Sequence, residues 1–222
     1  MMMPVATFEL SPDIQSMVAT LTRGVESVSA VMGTDQNRFT AALSDLERLA
    51  QSEHIPVAIV GDLGAIHHGY PAATQDIDVA IGREHLDRFI QVAPNYRFKV
   101  AWNSKSGWHT LMHGDVEINV IPEGGKARDS SPTLIPGPMA LGISAGLGYA
   151  SLPGWVELKL SSGRQKDRAH VVEVLKTLDD VTIQGVSQHV GQVHVNYSTL
   201  FAELCRQAVD ELTDERHRGR RE

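Results

Sequence analysis

Residues 57–81, VAIVGDLGAIHHGYPAATQDIDVAI, constrain the fold of this chain more than any other stretch. Val57 to Val60 is a short apolar run that reads as a strand buried on both faces. Gly61-Asp62-Leu63-Gly64 follows as a glycine turn, and Leu63 to His68 has room for about two turns of helix. Ile77 to Ile81 reads as the second strand. Side chains alternate across a pleat, so Asp76 and Asp78 share one face while Ile77 points into the core. Carboxylates this close repel each other unless a cation sits between them, and hard oxygen ligands suit Mg2+ or Mn2+. The segment is therefore a candidate for metal-assisted phosphoryl transfer.

The rest of the chain can build a core around this segment. Ser11-Pro12-Asp13 has the form of a helix start, and Ile14, Met17, Val18, Leu21, Val25, Val28 and Met32 follow at helical spacing. A helix over 37–52 places Phe39, Leu43, Leu46 and Leu49 on one face and Asp45, Glu47 and Arg48 on a polar face. Residues 84–92 read as a helix, 97–102 and 108–112 as strands, and 116–121 as a clear strand that ends at Pro122. Little periodicity is present over 123–154, which is rich in Gly, Pro and Ser. Trp155 to Leu178 is strongly helical, with Gly163 as a point of division, and 198–212 forms a last helix. The expected organisation is an N-terminal helical segment (1–36), a core (37–125), a long Gly/Pro-rich loop (126–154), a C-terminal helical part (155–212) and a disordered tail (213–222). The expected class is α/β (α+β), with a small mixed sheet and flanking helices.

Charge and cysteine content narrow the chemistry. A formal charge of −7 argues against broad binding of nucleic-acid phosphates. One cysteine, Cys205, excludes an internal disulfide and thiolate zinc clusters, and its helical setting reads as a small buried apolar residue. The absence of a long apolar run or a basic, apolar leader makes the expected location cytoplasmic, with no membrane partner. His67, His68, His109 and His113 show no third ligand at zinc spacing. Trp102, Trp108 and Trp155 read as core or interface residues, and Ser161 and Ser162 lack the partners of a nucleophile. At the glycine turn, backbone N–H groups can hold phosphate, whereas Asp62 either caps the short helix or repels a triphosphate unless a cation intervenes.

The order of apolar strand, Gly61, short helix and Thr74-x-Asp76-Ile-Asp78-Val resembles the nucleotidyltransferase superfamily with the DNA polymerase β-like fold. Asp76 and Asp78 match the family's metal-binding acid pair, while Asp62 stands where its turn carries a second Gly or a Ser. The family's third carboxylate aligns with Asn119, which binds cations through its carbonyl oxygen and cannot act as a base at neutral pH. Glu117, two residues earlier on the same face, is the substitute candidate. Leu158-Lys159-Leu160, Ser161-Ser162, Gly163-Arg164 and Lys166-Asp167 resemble the signature of the AbiEii-type branch, with His170 in place of a later Asp.

The resemblance implies transfer of a nucleoside monophosphate from an NTP to a hydroxyl of RNA (tRNA included), a protein or a small molecule. Asp76 and Asp78 would hold Mg2+ and Glu117 would be the base. Gly61, Asp62, Thr74, Asn119, Lys159, Arg164 and Lys166 would bind the nucleotide. A cognate antitoxin and a homodimer are the further partners it implies. Asp62 and Asn119 support the alternative of a catalytically inactive nucleotide-binding or toxin–antitoxin partner module.

Overall fold

A computed structural model describes residues 36–103 and 107–218. The helix expected over 11–32 lies outside the described residues. Helix α1 (Gln36–Ser52) leads to β1 (Val57–Ile59), α2 (Gly61–His67) and β2 (Asp76–Ile81). Next come α3 (Leu86–Val92), a 3-10 turn (Ala93–Tyr96), and strands β3 (Lys99–Asn103), β4 (His109–His113) and β5 (Val116–Pro122). The chain closes with β6 (Leu147–Tyr149), α4 (Leu152–Ser162), α5 (Gln165–Leu175), α6 (Asp180–Val193) and α7 (Val195–Arg218). The strands form one mixed sheet in the order β3-β4-β5-β2-β1-β6, as the α/β expectation requires.

β1 pairs antiparallel with β2, and β2 pairs parallel with β5. Both central strands therefore bury Val57, Ile59, Ile77, Val79 and Ile81, and polar side chains survive only where β2 enters the sheet. β6 was not anticipated. It extends the sheet parallel to β1 with three residues, one of them Gly148, too few to show a period within the Gly/Pro-rich stretch.

Phe39, Leu43, Leu46 and Leu49 are buried as α1's periodicity predicts, but its polar face is not wholly in water. Asp45 and Glu47 are buried. Asp45 accepts hydrogen bonds from Arg97 Nε at 2.6 Å and His113 Nε2 at 2.7 Å, and Arg48 lies 2.8 Å away. Partners arriving from β4 and the 3-10 turn make the burial of this carboxylate tolerable, and α1's sequence does not contain them.

The long helical pattern divides at Gly163, whose φ of +60° closes α4 in the left-handed conformation. Helix α6 was missed because Thr182, Ile183, Gly185 and Gly191 weaken its helical signal; Asp179 caps it by accepting from Thr182 N–H at 2.8 Å. The tail expected to be disordered is helical through Arg218. Lys176, the residue that caps the end of α5, pairs with Glu211 at 2.7 Å and Glu215 at 3.1 Å, which holds that end of α7 against the bundle.

Candidate functional site

The parallel register of β2 and β5 places Asp76 beside Glu117 and Asp78 beside Asn119. Asn119 in turn lies beside Thr110 of β4, and Thr110 beside Trp102 of β3. One row thus crosses the sheet from Asp78 through Asn119 and Thr110 to Trp102. Asn119 Nδ2 donates to Asp76 Oδ2 and to Asp78 Oδ1, each at 3.2 Å, so one amide bridges both acids. Thr74 donates to Asp76 Oδ1 at 3.0 Å. These donors are neutral, so hydrogen bonding does not remove the repulsion between the carboxylates. Burial, and next the charge of Asp76, push the Asp78 carboxyl up to about 6. Such a carboxylate pair, fitted only with neutral donors, matches the donor set of a hard divalent cation.

Gly61 forms the wall next to this pair. Its φ is +62°, and an added Cβ would stand 1.9 Å from Asp78 Oδ2. Only glycine brings the backbone this close. The Gly61 carbonyl accepts from Trp155 Nε1 at 2.9 Å, which joins α4 to the turn.

Behind the turn lies a second charged group. Asp62 does not cap α2, whose N-cap makes no side-chain hydrogen bond. Instead it meets Lys159 Nζ at 3.0 Å, Lys166 Nζ at 2.7 Å and His170 Nδ1 at 3.2 Å. Burial by itself raises the Asp62 carboxyl, but the His170 hydrogen bond, the Lys159 charge and Lys166 outweigh it and hold it well below the usual range. Asp167 likewise lies below its usual range: Lys159 at 2.7 Å, with Ser162 and Arg164, overcomes the effect of burial. Ligand atoms of Asp62, Asp167 and His170 lie within 4.8 Å of one another, a grouping that can suit a metal. The Lys159 ammonium already stands among them, 3.4 Å from His170 Nδ1. This cluster has its own cation. Sequence reasoning overlooked it, although Asp167 and His170, three apart on α5, must share a helix face.

A cavity of about 360 Å3 lies between the two groups, within the range of small-molecule sites. Gly61, Asp62, Asp76, Asp78 and Asn119 line it, together with Lys159, Arg164 and Lys166. Of the cations, Lys159 is buried in its ion pairs, whereas Arg164 and Lys166 are 66% and 65% exposed. Thr74 is occupied with Asp76. Glu117 is exposed and does not line this cavity; it lines an adjoining one with Arg38 and Asp115, and Asp76, its neighbour across the strands, lines both. Its register with Asp76 places it one step further out along the strand than Asn119.

Trp155 is buried in the core and borders the cavity from there, whereas Trp102 and Trp108 line it without filling a core, and Trp102 is 55% exposed. His113 is a core partner of Asp45, and His68 packs inside with Nε2 3.1 Å from the Ala150 carbonyl, its pKa lowered to about 4 by burial and by His67. His109 lines the cavity with Nδ1 at 2.7 Å from Asn103 Oδ1.

No family model matches the chain, and no curated protein does. Among solved structures it is similar to the antibiotic-resistance factor ANT(2'')-Ia in solution, at 14% identity and a TM-score of 0.43 over 83% of this chain and 100% of that one. A crystal structure of ANT(2")-Ia with adenylyl-2"-tobramycin is similar at 14% identity and a TM-score of 0.41, over 75% of this chain and 96% of that one. A CCA-adding enzyme in complex with ATP follows at 14% identity and a TM-score of 0.39, with 93% of this chain covering 52% of that one. The chain therefore spans about half the length of that enzyme.

Proposed function

We propose that this chain is a divalent-metal-dependent member of the nucleotidyltransferase superfamily that transfers a nucleoside monophosphate from an NTP to a hydroxyl acceptor. The observation that carries the reading is the β2–β5 register, which sets an uncompensated acid pair against a glycine wall and opposite two exposed cations. Asp76 and Asp78 would hold Mg2+ or Mn2+, and the ion would supply charge neutralisation and Lewis-acid polarisation of the phosphate. Gly61 keeps the wall free of side-chain atoms, and Arg164 and Lys166 receive the charge that develops on the departing pyrophosphate. The acceptor oxygen bonds to the α-phosphorus, the bond to the bridging oxygen of pyrophosphate breaks, and the hydroxyl proton passes to solvent. The acceptor is RNA, a protein or a small molecule, and the Leu158–Asp167 segment supports placement in the AbiEii-type branch with a cognate antitoxin.

A second reading, a nucleotide-binding module without turnover, is favoured by one feature. Asn119 spends its amide on both acids and offers no base, and Glu117 lies outside the cavity. Titration with each NTP, with and without Mg2+, tests both. Metal-dependent binding that disappears in Asp76→Ala and Asp78→Ala is expected, and no binding to the wild type under either condition would overturn the two readings together. Incorporation of labelled nucleotide into cellular RNA or protein then separates enzyme from module.

A further inference from the structure

The cavity is chemically divided. Asp76, Asp78, Arg164 and Lys166 make its charged end, with the Trp155 indole tied there to the Gly61 carbonyl, and Trp102 and Trp108 make the other. The pairing register gives the distance between the ends. Asp78, Asn119, Thr110 and Trp102 are successive neighbours on β2, β5, β4 and β3. Three strand spacings of about 4.8 Å put Trp102 about 14 Å along the sheet from Asp78, before its indole reaches back. Thr110 stands in the row between them.

An extended ligand with phosphates at one end and a flat ring at the other matches this order. Trp102 is exposed on an edge strand whose five residues all face solvent, a position where a large apolar ring contributes little to the core. β3 is bulged between Val100 and Trp102, which changes the register just where the indole must turn toward the cavity.

Resting on the nucleotide reading above, we infer that Trp102 and Trp108 form the nucleobase subsite, stacking the base while the phosphates lie at the Asp78 end. Stacking is tolerant of base identity, because every base has a π-face, and it favours the larger purine rings. The subsite therefore discriminates nucleotides from inorganic phosphate chains strongly and purines from pyrimidines weakly.

Calorimetric titration of the full chain in Mg2+ with ATP, CTP and inorganic tripolyphosphate tests this. Wild type is expected to bind ATP more tightly than tripolyphosphate by about tenfold to a hundredfold, the range of one base–aromatic stack. Trp102→Leu with Trp108→Leu should abolish that margin and leave tripolyphosphate affinity unchanged. Trp102→Phe, which keeps a ring, should retain most of it. An unchanged melting temperature for Trp102→Leu alone guards against a folding artefact, since that side chain is exposed. If ATP and tripolyphosphate both bind and the Leu variants keep the ATP margin, the subsite assignment is wrong and the nucleotide reading stands. If wild type binds neither, the nucleotide reading fails and the subsite with it.

Discussion

Asp78 and Asp167 each stand beside a second carboxylate in the same cavity wall, yet their protonation is pushed in opposite directions. Asp78 is raised to about 6, first by burial and then by Asp76. Asp167 is lowered, because Lys159, Ser162 and Arg164 more than offset its burial. The difference lies in who supplies the compensating charge. On the α4–α5 side the chain carries its own cation, so the acids there are framework. On the sheet side, among the described residues, the acids' hydrogen-bond donors from side chains are the Asn119 amide and the Thr74 hydroxyl, and the Lys159 charge reaches Asp78 too weakly to offset burial and Asp76, so most of the charge balance is left to a ligand. Acidic pairs of the first kind hold a fold together, and pairs of the second kind mark a site.

The largest effect should come from breaking the compensated side. Lys159→Met leaves Asp62 and Asp167 facing each other without their shared ammonium. Loss of one partner from a buried ion pair costs about 3–5 kcal/mol, which urea unfolding should read directly. Because the remaining ligand atoms of Asp62, Asp167 and His170 fall within 4.8 Å of one another, Zn2+ is expected to stabilise the variant by more than it stabilises wild type, in which Asp76 and Asp78 alone are open to the ion. A cost under about 1 kcal/mol would mean that the cluster is no framework.

Next in size is a change of opposite sign on the sheet side. The folded-state pKa of Asp78, about 6, lies above its ordinary 3.8, so the folded state holds this proton more tightly than the unfolded chain does. The group imposes no penalty below pH 3.8, and stability falls as pH rises from there through about 6. The full penalty above that window is about 2–3 kcal/mol. Without metal, Asp78→Asn should therefore melt higher than wild type at pH 8 and alike at pH 4. Mg2+ should raise the wild-type melting temperature at pH 8 and leave the variant unmoved. Equal melting of the two proteins at pH 8 would remove the case for an uncompensated charge.

How much of this contrast was legible beforehand follows from the range of each signal. Asp76 and Asp78 were readable because a strand's period of two is local, and Gly163 as a helix break because its signal is one residue long. Partners that come from distant elements were not. Asp45 looked solvated because His113 and Arg97, 68 and 52 residues away, complete it only in the fold. Asp62 looked repulsive to phosphate because its neutralising Lys159 lies 97 residues on. Lys159 looked like a free phosphate ligand for the same reason. Glu117 looked interchangeable with Asn119 because alternation fixes a face and not a depth along the strand; the pairing with Asp76 fixed the depth. Trp102 and Trp108 read as core or interface because their composition says apolar; only the sheet order puts Trp102 on the edge strand, with Trp108 just before the strand beside it.

The smallest expected effect distinguishes the two cations that bridge the regions. Lys166 touches Asp62 at 2.7 Å, as closely as Lys159 touches Asp167, but it is 65% exposed. Solvent screening leaves an ion pair of that kind worth about 0.2–1 kcal/mol, so Lys166→Ala should barely change unfolding. Its effect belongs on the ligand side: with Asp62 still held by Lys159 and His170, the vacated ammonium is the one that faced the cavity. Tripolyphosphate binding should weaken several-fold in this variant, and more at low ionic strength than at high. A variant that lost stability and kept its phosphate affinity would move Lys166 into the framework and leave Arg164 as the cavity's exposed cation.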